Sequence, residues 1–120
     1  MNIESVKSLF LLFSGEPETA PYEPVIELAV SETERMLLPG KDCGDMRLNF
    51  LAAAIANDSV QRIKASRDRT SVTYAGKMVS SQPSAMTEYS QRLVRDYLQL
   101  CEDIIKPRAF VFMSFCGGEG

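Results

Sequence analysis

The chain has 120 residues, a length typical of one domain that buries about two-thirds of its unfolded surface. Its net charge of −3 argues against a nucleic-acid partner, which would need a basic face. It contains no histidine, and its three cysteines are widely spaced without a CxxC pair. This composition argues against a zinc site and predicts free thiols in a reducing compartment.

Neither a signal peptide nor a membrane span is predicted. The apolar run Leu9–Phe13 is short, and no basic region or small-residue cleavage site accompanies it. No stretch approaches the roughly 20 apolar residues that a membrane helix requires. We therefore expect a soluble, intracellular protein without a membrane partner.

The first two predicted elements are amphipathic helices with clear stop signals. Asn2–Phe13 is predicted to be a short helix that Gly15 ends at its C′ position. A turn-rich linker follows. The second helix is predicted to run from about Pro21 or Tyr22 to Leu38. Pro39-Gly40 stops it, and a short loop then predicts an antiparallel return of the chain.

Asp45–Ser66 is predicted to be the central helix of a small bundle. It lacks proline and glycine over 22 residues and centres on Ala52–Ala54, the best helix formers. Asp45 is predicted to cap its N-terminus. Its predicted apolar stripe consists of Leu48, Leu51, Ala52, Ile55, Ser59 and Ile63.

Two polar residues, Asn57 and Asp58, interrupt this helix at its middle. A solvated face is the simplest interpretation, and a buried polar contact or a subunit contact is the alternative. Asp58 precedes Arg62 by four residues, which favours an ion pair along the helix.

The composition changes after the central helix. Residues 67–81 are rich in threonine, valine, serine and tyrosine, which predicts a β-hairpin or extended arm with a turn near Gly76. An isolated hairpin of this size is marginally stable in water. The arm should therefore lie on its own bundle or on a neighbouring subunit.

The last predicted helix is Ser84–Lys106, which Pro107 ends. Its predicted apolar seam consists of Met86, Tyr89, Leu93, Tyr97, Leu100 and Ile104. Residues 109–115 are then predicted to be a short aromatic strand. Because this strand is apolar on both faces, it should pack on its own bundle or pair with another chain.

No residue stands in a pattern that predicts catalysis, cofactor binding or metal binding. Asp42 and Asp45 lack the ligand spacing of a calcium loop, and helix capping explains them better. Cys43 lies at a helix start, which lowers a thiol pKa, but the two aspartates beside it oppose that effect. Cys101 is predicted to be a small core residue. We therefore expect a protein that is not an enzyme.

The candidate interface residues lie in the two predicted β-forming segments, where exposed apolar side chains would join subunits or partners. They are Val72, Tyr74, Gly76, Met78, Val79, Phe110, Phe112 and Phe115.

The whole chain resembles the head–tail connector proteins of tailed bacteriophages and prophages. The resemblance follows the order of four segments: SLFLLFSGE, VIELAVSETERMLLPG, DMRLNFLAAAIANDSVQRI and the arm SVTYAGKMVS, before the last helix and its FVF tail. The chain departs from the family after the alanine run, where Asn57-Asp58-Ser59 stands in place of aromatic residues.

This resemblance implies a mainly α fold: a small four-helix, bundle-like domain over residues 1–120 with an extended β-hairpin arm and a short C-terminal strand. It implies a structural subunit of a homo-oligomeric ring that docks to the portal and to tail or head-completion proteins. DNA would pass through the ring without sequence-specific binding, and no cofactor or small-molecule substrate is implied. The expected location is the bacterial cytoplasm during assembly and then the virion neck. A non-phage bacterial interaction or oligomerisation module is the alternative.

Overall fold

The computed structural model describes the backbone of residues 1–74 and 85–106 and the side chains of residues 1–67 and 85–106. This part of the chain is mainly helical, as predicted. A 3₁₀ turn, Ala20–Tyr22, precedes the second of four α-helices. The helices are α1 Ile3–Ser14, α2 Glu23–Met36, α3 Met46–Tyr74 and α4 Ala85–Leu100.

The ends of α1 follow local signals in the sequence, as predicted. The Asn2 side chain accepts hydrogen bonds from the backbone N–H groups of Glu4 and Ser5. Gly15 adopts φ +76° and donates its N–H to the carbonyl of Leu11. Both caps satisfy backbone groups that the helix itself leaves unpaired.

α3 is the central helix, and α1, α2 and α4 all pack against it. Ala52, Ala53, Ala54 and Ala56 are completely buried. Because an alanine side chain ends at Cβ, neighbouring helices can approach α3 closely on several sides. The prediction of a central helix with a thin apolar middle is confirmed.

Two apolar clusters meet along α3. The first joins α1 and α2 to α3 and contains the fully buried Val6, Phe10 and Ile26. The second joins α3 to α4 and contains Leu51 and Cys101, both also fully buried. Burying a side chain as large as phenylalanine or isoleucine contributes about 1.5–3 kcal/mol, so these contacts hold the bundle together. The core position predicted for Cys101 is confirmed.

Residues after α4 pair with residues after α2. The N–H of Leu38 donates to the carbonyl of Ile104 at 2.9 Å, and the N–H of Lys106 donates to the carbonyl of Met36 at 2.8 Å. This antiparallel bridge is centred on Leu37 and Ile105. The helix predicted to reach Lys106 thus ends at Leu100, because the β-branched Ile104 and Ile105 and the following proline favour extended backbone.

The predicted hairpin arm is wrong in its first half. α3 continues to Tyr74, so residues 67–74 have a helical backbone and not an extended one. Adding one residue to an existing helix forms one hydrogen bond without a new nucleation step. The intrinsic cost of threonine, valine or tyrosine in a helix is at most about 0.7 kcal/mol per residue, which is small beside the cost of nucleating a separate element. Residues 75–81 and the predicted strand 109–115 lie outside the described residues.

The predicted seam of α4 is confirmed at Leu93 and Tyr97, which pack against the apolar clusters, and at the buried Ile104, but it is wrong at Tyr89 and Leu100. Tyr89 and Leu100 are about half exposed, whereas Thr87 and Ser90 are buried. α4 therefore presents small polar residues to α3 at its N-terminal end and the apolar Leu98 further along. The Ser90 hydroxyl donates to Asp58 in the middle of α3, so α4 turns Ser90 rather than Tyr89 toward α3.

Within the described ranges, no helix combines the length and the apolar character that crossing a bilayer demands.

We expect Gly15→Ala to lower the free energy of unfolding by about 1 kcal/mol, because alanine is strained at a positive φ. No atom lies within 4 Å of the position of an added Cβ, so the backbone alone causes the loss. Urea denaturation followed by circular dichroism measures it. Gly15→Asn is the matched control and should lose less, since asparagine tolerates this conformation. Equal stability of the alanine variant and the wild type would contradict the assignment.

Candidate functional site

None of the predicted interface residues is among those whose side chains the structure describes. Val72 and Tyr74 are placed by their backbone near the C-terminal end of α3. The other candidates, Gly76, Met78, Val79, Phe110, Phe112 and Phe115, lie outside the described residues. The candidate site is therefore the part of α3 that leads to them.

The side chains of α3 become more exposed directly after Gln61. It has 29 residues and is about 43 Å long at 1.5 Å per residue. Gln61 is the last buried residue along its described side chains, whereas Arg62 and Ile63 are exposed. The exposure of Ile63 removes it from the predicted stripe. The helix backbone runs on for 13 residues, about 20 Å, beyond Gln61.

A buried polar cluster lies next to Gln61, the last buried residue among the described side chains of α3. Asn57 is completely buried, and Asp58 is buried with it. The Ser90 hydroxyl of α4 donates to Asp58 Oδ1 at 2.9 Å, while Arg62 Nε contacts Asp58 Oδ2 at 3.0 Å. The ion pair predicted from the four-residue spacing is confirmed. The predicted solvated face is wrong, and the alternative of a buried polar contact is correct.

Asn57 is only partly satisfied within this cluster. Its Oδ1 accepts from Gln61 Nε2 at 3.1 Å, but its Nδ2 has no hydrogen-bond partner among the described residues. An unpaired buried amide costs about 1–3 kcal/mol. The unpaired amide of Asn57 therefore lowers the free energy of unfolding. Asn57 is a buried polar residue that directly follows an alanine-rich stretch.

A second set of contacts ties the part of α3 after Gln61 to the loop after α1. The Lys64 ammonium forms an ion pair with Glu16 Oε2. The Tyr22 hydroxyl donates to the other oxygen of Glu16 at 3.1 Å. The hydrogen bond from Lys64 is the largest cause that holds the pKa of Glu16 below its ordinary value, and it outweighs burial, which raises that pKa. These contacts fix the direction in which α3 leaves the bundle.

Arg47 joins the start of α3 to the end of α4. It contacts Asp45 Oδ2 and Asp103 Oδ1, each at 2.9 Å, and donates to the carbonyl of Leu100 at 3.0 Å. Its hydrogen bonds lower the pKa of both carboxyl groups below their ordinary values. Asp45 Oδ1 also accepts from the Arg47 backbone N–H at 2.9 Å, which confirms the predicted cap.

The two cysteines in the described part of the chain differ in their surroundings. Cys101 is buried, and its thiol donates to the carbonyl of Arg47 at 3.7 Å. Burial is the main cause that raises its pKa, so the thiol stays protonated at neutral pH. Cys43 is exposed, and the neighbouring Asp42 accepts from the N–H of Gly44 and shapes a turn. Among the described residues, no group of three or more potential ligands could hold a metal ion.

Sequence reasoning missed the partners that come from distant parts of the chain. Ser90 is 32 residues from Asp58, and Glu16 is 48 residues from Lys64. No local spacing connects such pairs. The one available signal was the polarity of Asn57, Asp58 and Gln61 beside an alanine run, which marks a face that needs polar neighbours.

No protein-family model, curated protein or solved structure matches the chain. The resemblance to head–tail connectors therefore stays a prediction from the sequence.

We expect Ser90→Ala and Asp58→Ala to be coupled by about 1.5 kcal/mol in a double-mutant cycle, because the hydroxyl donates to a charged acceptor. Urea denaturation of both single variants and of the double variant measures the coupling. Ser31→Ala, at an exposed serine on α2, replaces Ser90→Ala in a control cycle and should show no coupling. A cycle with Ser90 that closes additively would contradict the contact.

We expect the stability of the wild-type protein to fall as the pH drops below about 4, and Arg47→Gln to weaken this dependence. Asp45 and Asp103 have lowered pKa values in the folded state, so their contribution is present above their ordinary pKa of 3.8. It is lost as protonation reaches the lowered values. Thermal unfolding between pH 2 and 7, followed by circular dichroism, measures the effect.

Arg92→Gln is the matched control, since Arg92 is exposed on α4 and forms no ion pair with a described residue. It should keep the acid dependence of the wild type. An Arg47→Gln variant with the same pH profile as the wild type would contradict the role of Arg47.

Proposed function

We propose that the chain is a structural subunit of a head–tail connector ring of a tailed bacteriophage or prophage. Its subunits would assemble with one another below the portal, bind tail or head-completion proteins and extend the DNA channel. This role involves no catalysis, cofactor, membrane or small-molecule substrate. It places the protein in the bacterial cytoplasm during assembly and in the virion neck afterwards.

The observation that carries the proposal is the two-part construction of α3. Its first part, up to Gln61, is buried among three other helices, and its backbone then continues for 13 residues. A subunit of a ring needs a rigid body and an element that reaches a neighbour. α3 supplies both in one helix, because no break in the helix separates the two parts.

The polar contacts on either side of Gln61 support the same role. Contacts among Lys64, Glu16 and Tyr22 hold the part of α3 after Gln61 from one side. Contacts of Asp58 with Arg62 and Ser90 hold it from the α4 side. A joint between subunits must keep its direction if a ring is to close rather than to form an open filament. Fixed contacts at the base of the helix meet that requirement.

The charge of the chain is compatible with a channel subunit. A net charge of −3 provides no overall attraction to the polyanionic DNA, and DNA that must slide through a ring benefits from weak binding.

The end of α3 leads to the apolar residues Met78 and Val79, which are the proposed joint. We expect Met78→Ser combined with Val79→Ser to abolish ring formation, because the subunits lose the apolar side chains that bury against a neighbour. Negative-stain electron microscopy and native mass spectrometry of the protein, alone and mixed with a phage portal protein, measure assembly. Helicity by circular dichroism should remain that of the wild type.

The matched control changes polar residues of the same segment, Lys77→Ser with Ser81→Ala, and should leave assembly unchanged. Rings formed equally well by both double variants would refute the role of this segment. A wild-type protein that remains a single subunit in the presence of the portal would favour the alternative, a non-phage bacterial interaction module.

A further inference from the structure

α2 and α4 both lie on α3, and an open groove separates them. Its wider part, about 840 Å³, lies between α3 and α4 and is lined by Asp58, Val94 and Leu98 among others. An overlapping space of about 530 Å³ extends to Arg35 and Met36 on α2. α3 thus forms the floor, and α2 and α4 form the walls.

The groove has an apolar base and a charged rim. Met36, Ile55 and Val94 line it and are only half-buried, so each still exposes apolar surface. Arg35 and Lys106 stand on the rim, and neither forms an ion pair with a described residue. Such a groove suits a peptide that carries apolar side chains and some charge rather than a purely ionic ligand.

The described chain ends at this groove. Lys106 lines both of its parts, and its N–H donates to the carbonyl of Met36. Because the pairing of residues 36–38 with 104–106 is antiparallel, the chain at Lys106 runs back toward α2. Pro107 follows, which favours extended backbone at Lys106 and prevents a further helical turn there.

We propose that the C-terminal segment of the same chain, residues 107–120, occupies the groove between α2 and α4. Its aromatic residues Phe110 and Phe112 cover the apolar base, and Glu119 is available to the unpaired cations of the rim. This inference goes beyond the proposed function. It assigns the aromatic tail to its own bundle, one of the two locations that its sequence allows.

The length of the segment fits the groove. The lining residues of α4 run from Gln91 to Gln99, about 12 Å of helix. The nine residues from Pro107 to Phe115 reach at most about 30 Å when extended. The segment can therefore cover the whole groove from its starting point at Lys106. A tethered segment also has a high effective concentration at its site, which favours its own groove over that of a second copy.

The test uses Phe112→Trp in the full chain, since the protein contains no other tryptophan. We expect emission at the short wavelengths of a buried indole and quenching by acrylamide several-fold weaker than for the same protein in urea. Both properties should be independent of protein concentration. Emission typical of an exposed indole in the folded protein would overturn the proposal.

A groove variant shows where the indole is buried. Val94→Asp, added to Phe112→Trp, should move the emission to longer wavelength and restore quenching. Val30→Asp is the matched control: it changes a half-buried valine of α2 that does not line the groove, so the emission should stay unchanged. Equal responses to the two substitutions would refute the location.

If Val94→Asp loses its helical circular dichroism signal, Ser59→Arg takes its place, because Ser59 is half-buried on the floor and already polar. A blue shift that appears only at high concentration would assign the groove to a second copy and overturn the proposal. Because every reading is made on dilute single subunits, failure of this inference is distinct from failure of ring assembly, which depends on Met78 and Val79.

Discussion

The fold depends on how closely other helices can approach α3. Ala52, Ala53, Ala54 and Ala56 are fully buried, and none of them extends beyond Cβ. Three helices can therefore share one central helix, and larger side chains such as Phe10 and Leu51 fill the space around it. A single larger residue in this stretch would force a neighbouring helix outward, since packed interiors have little free volume.

The polar residues that follow the alanine run set the boundary of this packing. Asp58 takes its hydroxyl partner from α4, and Lys64 takes its carboxylate partner from the loop after α1. At the end of the buried part of α3, the contacts to other elements are thus hydrogen bonds and ion pairs rather than apolar contacts. Directional contacts fix orientation. The part of α3 after Gln61 therefore has a defined direction relative to the bundle, as the proposed ring requires.

The helical fold and the capped helix ends were predictable from the sequence, whereas the C-terminal ends of α3 and α4 and the polar contacts between distant residues were not. Asn2, Gly15 and Asp45 act on backbone groups a few residues away, so their roles can be recognised without tertiary information. Tyr89 points to solvent because a distant helix, α3, presents polar residues to α4. The helical backbone at Tyr74 likewise reflects the cooperativity of a long helix, which β-propensity at single positions does not capture.

The antiparallel bridge at Leu37 and Ile105 also determines how a pulling force would enter the protein. A load applied at Lys106 reaches its hydrogen bond to Met36 first and the second bond, from Leu38 to Ile104, next. Ile104 and Ile105 are buried beside these bonds, so the load spreads into the α3–α4 core before α4 itself is strained. The bridge therefore serves as a mechanical anchor that links the ends of α2 and α4.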